Sequence, residues 1–146
     1  DLIEYAGGSA LPLIREIQRR RIPVRILVKH PDTVSGVQRL RMTSTLDTFY
    51  NSIFAQSDDF EIRCYRLPYS VRARRFGNSF LELGWLTPDP KRQTAYGHGN
   101  PSIMVDLKVV ENQTFEEFFD RSFDTLWEAQ DTEDGRAVLD RTQVIN

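Results

Sequence analysis

The chain has 146 residues, 40% apolar and 27% charged, with 8 Gly and 7 Pro. That composition excludes disordered, collagen-like and coiled-coil classes and leaves room for one packed core. No apolar run is long enough for a membrane span or a signal-peptide core, and the one cysteine, Cys64, cannot close an internal disulfide, so a reducing cytoplasm is the expected compartment.

The formal net charge of −2 averages two unlike regions. Residues 15–92 carry 15 Lys/Arg against 8 Asp/Glu and net +7, while residues 106–146 carry 4 bases against 11 acids and net −7. Arginine supplies 16 of the 19 bases, and its planar fork grips phosphate or carboxylate at two points. Two readings follow: salt bridges between the halves, or an anion site.

Leu2-Ile3-Glu4-Tyr5 reads as the end of a strand. The abrupt start at Asp1 suggests a piece of a longer protein. Gly7-Gly8-Ser9 turns the chain, with Ser9 as a helix N-cap, Pro12 in the first turn and Leu13, Ile14 and Ile17 as the apolar stripe. Arg19-Arg20-Arg21 suits a helix C-terminus as well as it suits any ligand. Val24-Arg25-Ile26-Leu27-Val28 follows as a buried strand, and strand–helix–strand in this order predicts a right-handed βαβ unit with parallel strands.

Leu46, Phe49, Tyr50 and Ile53 predict a second amphipathic helix within 34–54. The period then changes to two. Strands are expected at Phe60–Tyr65, Val71–Phe76 and Phe80–Trp85, the last two joined as a hairpin through Gly77-Asn78-Ser79. Residues 87–101 read as a long irregular loop, and 102–107 as a strand. Thr114-Phe115-Glu116-Glu117 reads as a capping box with Thr114 as N-cap, opening a helix whose stripe is Phe115, Phe118, Phe119, Phe123, Leu126 and Trp127. That stripe is core rather than a ligand box. Residues 131–146 read as a polar tail behind a domain spanning 1–130.

The chemistry-bearing residues are sparse. There is no Cys/His cluster with metal spacing, no phosphate-binding glycine loop and no nucleophile elbow, so neither a metal nor a cofactor is expected. Cys64 reads as a small buried hydrophobe.

Three segments carry a resemblance. IPVRILVKHP (22–31), VRARRFGNSFLELGW (71–85) and FFDRSFDTLWEAQ (118–130) are similar, in that order, to the second strand, the catalytic hairpin and the closing helix of the phospholipase D-like (HKD) superfamily. The resemblance implies an α/β fold, a mixed β-sheet flanked by helices in the order βαβα, β-hairpin, β, α, forming one half of a domain that works in pairs. It also implies a homodimer. Active members carry His-x-Lys, with His as the nucleophile on phosphorus; the matching positions here are Arg72 and Arg74. Arginine is protonated at physiological pH and cannot attack phosphorus, but it binds phosphate well. His98, in Gly97-His98-Gly99-Asn100, is a weak second candidate for a nucleophile, with Asn100 where Lys would stand.

The expectation placed first is a non-catalytic sensing or interaction module of a larger bacterial regulatory protein. It would bind an anionic or phosphate-bearing small molecule through Arg72, Arg74, Arg66, Arg75, His98 and Asn100. A structural homo-oligomerisation domain comes second. A nucleic-acid-binding module using the +7 half comes third, disfavoured by the acidic half and by the lack of interleaved aromatic and basic residues. A phosphodiesterase or nuclease using His98 comes fourth.

Overall fold

The computed structural model describes residues 2–4, 11–34, 36–68, 71–89, 94–96 and 100–144. Its centre is a mixed sheet. β1 (Leu2–Glu4), β2 (Val24–Lys29) and β3 (Phe60–Tyr65) run parallel, as the strand–helix–strand pattern predicts. β4 (Val71–Phe76) pairs antiparallel with β1, and β5 (Phe80–Trp85) pairs with β4 across the Gly77 turn. Gly77 has φ +56°, a left-handed geometry that glycine adopts without a Cβ penalty. A short ribbon of β6 (Thr87–Asp89) and β7 (Thr94–Tyr96) interrupts what the sequence suggests is irregular loop. β8 (Ser102–Asp106) then pairs with β5, and β9 (Glu133–Asp134) pairs with β3. The strand order is β8-β5-β4-β1-β2-β3-β9.

Helices cover both faces. α1 (Leu11–Arg19), α2 (Gly36–Thr48, continued by a π-helical turn at Phe49–Ile53) and α4 (Gly135–Val144) share one core with the strands. There Ile14, Leu46, Phe49, Val138 and Leu139 pack against Val24, Ile26, Val28, Ile62 and Cys64. α3 (Gln113–Trp127) covers the opposite face, where Phe119, Phe123, Leu126 and Trp127 meet Leu27, Tyr65, Ala73, Leu81, Leu83 and Val105. The alternation within β2 explains the division: Val24, Ile26 and Val28 go to one layer and Leu27 to the other. The fold is therefore α/β in three layers.

Three expectations are corrected. The segment 131–146 is not a tail: it supplies β9 and α4, and Val138 and Leu139 are buried. Thr114 is not the N-cap of α3, because the helix begins at Gln113 with Asn112 at the cap. The side chain of Asn112 instead donates to the backbone oxygen of Asp106. Residues 87–101 include the β6–β7 ribbon. The expected Ser9 cap lies outside the described residues.

Candidate functional site

β4 sorts its arginines by alternation. Arg72 and Arg74 stand on one face, and Ala73 and Arg75 on the other with α3. The candidates among the described residues therefore do not form a single cleft. Arg75 donates to Glu116 at 2.6 Å and to Asp120, both on α3. That pairing joins the basic half of the sequence to its acidic half. Arg66 lies past the end of β3 and donates to Glu133 at 2.6 Å. Asn100 donates to the backbone oxygen of Trp85 at 2.8 Å and to Oγ1 of Thr87 at 2.9 Å, tying the approach to β8 onto the end of β5. His98 lies outside the described residues.

Arg72 and Arg74 do share a face, as period two requires. Arg74 sits opposite Glu82 on β5 and donates to it at 3.1 Å, with both side chains largely buried (12% and 17% exposed). Arg72 sits opposite Gly84. Its side chain crosses over that residue, so that a Cβ on Gly84 would lie 2.5 Å from Nε and 3.0 Å from Cγ. The glycine is what lets this arginine lie flat against the sheet. The Nε of Arg72 is buried and has no hydrogen-bond partner. An unsatisfied buried donor costs about 1–3 kcal/mol, more when it is charged.

A second polar group closes the C-terminal ends of β2 and β3. Lys29 donates to the backbone oxygens of Arg66 and Leu67 at 2.7 and 2.8 Å. His30, 1% exposed, accepts the backbone N–H of Asp32 at Nδ1. The neutral ring must then carry its proton on Nε2, which faces Glu133 at 3.1 Å and Arg66 at 3.0 Å. Glu133 is also gripped by Arg141. This cluster braces β9 and α4 against the sheet. His30 is enclosed and its nitrogens are occupied, so it is not poised for substrate chemistry. Sequence reading missed the group because Glu133 lies far from His30 along the chain and meets it only through the β3–β9 pairing.

Burial, then the Arg66 charge, holds His30 below its ordinary 6.5. The Arg66 hydrogen bond holds Glu133 below the usual 4.5. Both groups are depressed, so the unfolded chain binds more protons than the folded one in acid. Their contribution to stability is complete above 6.5 and is lost as pH falls, through His30 first and Glu133 below 4.5. The urea midpoint is expected to be lower at pH 5 than at pH 7.5, with a shallower fall in His30→Gln. A midpoint equal or higher at pH 5 contradicts this assignment.

Cys64 is buried among apolar side chains, and burial pushes its thiol up to about 12, which suits packing rather than nucleophilic chemistry. Among the described residues no group of three or more His, Cys, Asp or Glu could hold a metal ion, and no helix is long and apolar enough to cross a membrane. No family model, no curated protein and no solved structure matches the chain.

Proposed function

We propose that the chain is a non-catalytic phospholipase D-like half-domain that binds an anionic, phosphate-bearing group beside Arg72 and Arg74. The observation that carries this reading is the buried, unpartnered Nε of Arg72, laid over Gly84 and next to a second arginine on the same face. A protein that retains an unsatisfied charged donor gains when a ligand satisfies it, and a phosphate oxygen is the acceptor a guanidinium fits best. The same positions argue against turnover through this pair, because arginine can hold phosphate but cannot form a phosphohistidine. Arg66 and Arg75 fall outside the proposed site: Arg75 lies on the opposite face of β4, against α3, and Arg66 follows β3, three strands away from β4 in the sheet order.

Arg72→Ala provides the clean test. Arg74→Ala would strand the largely buried Glu82 and confound binding with stability. Calorimetric titration with pyrophosphate is expected to show binding at least about 10-fold weaker in Arg72→Ala, since a hydrogen bond to a charged group contributes roughly 1.5–3 kcal/mol. The melting temperature of the ligand-free variant should not fall. Equal binding by both proteins, or binding by neither, removes the site.

A further inference from the structure

The two edges of the sheet differ. One ends in β9, two acidic residues long, with α4 packed on the same side of the molecule. The other is β8, Ser-Ile-Met-Val-Asp, with no basic residue and no proline inside it. Ser102, Ile103 and Met104 are all exposed, Ile103 by 42% and Met104 by 61%. Successive side chains in a strand point to opposite faces, so consecutive exposure means that this half of β8 is open on both faces. Natural sheets normally blunt such an edge with charge, proline, a bulge or a cover.

We propose that β8 is a homodimerisation edge, pairing antiparallel with β8 of a second copy about a two-fold axis at Met104. The backbone sets the register. Leu107 N–H donates to Ser79 C=O on the β5 side. Alternation along an antiparallel ladder then turns the N–H and C=O groups of Val105 and Ile103 inward, and those of Asp106, Met104 and Ser102 outward. The backbone oxygen of Asp106 fits this parity, because it accepts the Asn112 side chain from outside the β5–β8 ladder. Met104 lies at the middle of the strand. Pro101, which faces β5 by the same parity, has no N–H to extend the β5–β8 ladder before Ser102.

Two copies placed about Met104 exchange the outward N–H and C=O of that residue. The N–H of Asp106 then meets the C=O of Ser102 in the other copy, once in each direction. The side chains agree with the same register. Met104 meets Met104, Ile103 meets Val105, and the Ser102 hydroxyl meets the Asp106 carboxylate as donor to acceptor. No like charges stand opposite each other. Moving the axis one residue to Val105 would set Met104 against Asp106. A second copy is thus the occupant that this strand complements by itself. The exposed Phe80, next to Asp106 in the β5–β8 register, extends the apolar strip beside the seam.

This inference is independent of the anion site. It is tested by sedimentation velocity on the full 146-residue chain at tens of micromolar. The wild-type chain is expected to sediment as a dimer. Met104→Lys sets two ammonium groups against each other at the axis and should weaken the dimer by roughly 10-fold or more. Met104→Pro removes an outward N–H that no hydrogen bond among the described residues uses, and should give a monomer. Circular dichroism checks that each variant is folded, and Met104→Lys leaves the backbone chemistry intact should the proline variant fail to fold. A wild-type monomer, or a dimer unchanged in a folded Met104→Lys, overturns the proposal.

Discussion

Ending the chain at Gln130 is expected to leave a protein without a cooperative unfolding transition at 25 °C. The deletion removes β9 and α4, and with them Val138 and Leu139, both buried against the sheet. Burying two aliphatic side chains of this size contributes roughly 3–6 kcal/mol, a large share of the ~5–15 kcal/mol that holds a domain of this size. Further losses accumulate at the sites they cover. Ile62 and Cys64 on β3 become solvent-exposed, and Arg66 and His30 lose Glu133. Gly135 shows how closely α4 is seated. A Cβ there would lie 2.9 Å from Oη of Tyr50 and 3.0 Å from Ile62, so the helix start sits directly on the core. Urea denaturation followed by circular dichroism, with amide dispersion in NMR, reads the outcome. Within the full chain, Leu139→Ala gives the graded version, with an expected cost of about 2–5 kcal/mol. A truncated chain that keeps the full-length urea midpoint would return 131–146 to the status of a tail.

The same segment shows where the sequence was legible. β2 and most of α3 could be read directly because each buries a face whose apolar residues recur at the element's own period: Val24, Ile26 and Val28 at two, and Phe119, Phe123, Leu126 and Trp127 at helical spacing, whereas Phe115 and Phe118 of the expected stripe are exposed. α4 has the composition Gly-Arg-Ala-Val-Leu-Asp-Arg-Thr-Gln-Val, with one adjacent apolar pair doing most of the burying, and its helix is selected by contact with Tyr50 and Ile62 rather than by pattern. The strand pairing of Arg72 and Arg74 on one face was legible from alternation, and the same rule places Arg75 on the other side. Grouping all four arginines as one site overlooks that parity and the sheet order, which sets β1 and β2 between β4 and the β3 end that carries Arg66. The buried Nε of Arg72 had no sequence signal of its own, because it depends on Gly84 arriving opposite through the hairpin register.

Phe123→Ala is expected to cost about 3–5 kcal/mol, as large aromatic truncations in a packed core do. The ring is 1% exposed and stacks on Trp127 with centroids 5.2 Å apart, beside Phe119 at 5.8 Å. Charge enters this core as well. The Arg25 guanidinium lies 4.7 Å from the Phe123 centroid, and that of Arg63 lies 4.4 Å from the Trp127 centroid while donating to the Trp127 backbone oxygen. These arginines belong to the +7 region, and they roof aromatic residues of α3 in the −7 region. With the Arg75 pairings to Glu116 and Asp120, they turn much of the apparent charge asymmetry into contacts that clamp α3 onto the sheet. That commitment takes Arg25, Arg63 and Arg75 up in holding α3 rather than in an anion site. A double-mutant cycle of Arg25→Ala and Phe123→Ala separates packing from charge: the coupling is expected at about 0.5–1 kcal/mol, in the range of partly exposed cation–π pairs. Urea midpoints of the four proteins supply both numbers. Strict additivity would show that Arg25 covers the ring without being held by it, and a single-mutant cost below about 1 kcal/mol would show that the α3 core can collapse around the lost ring.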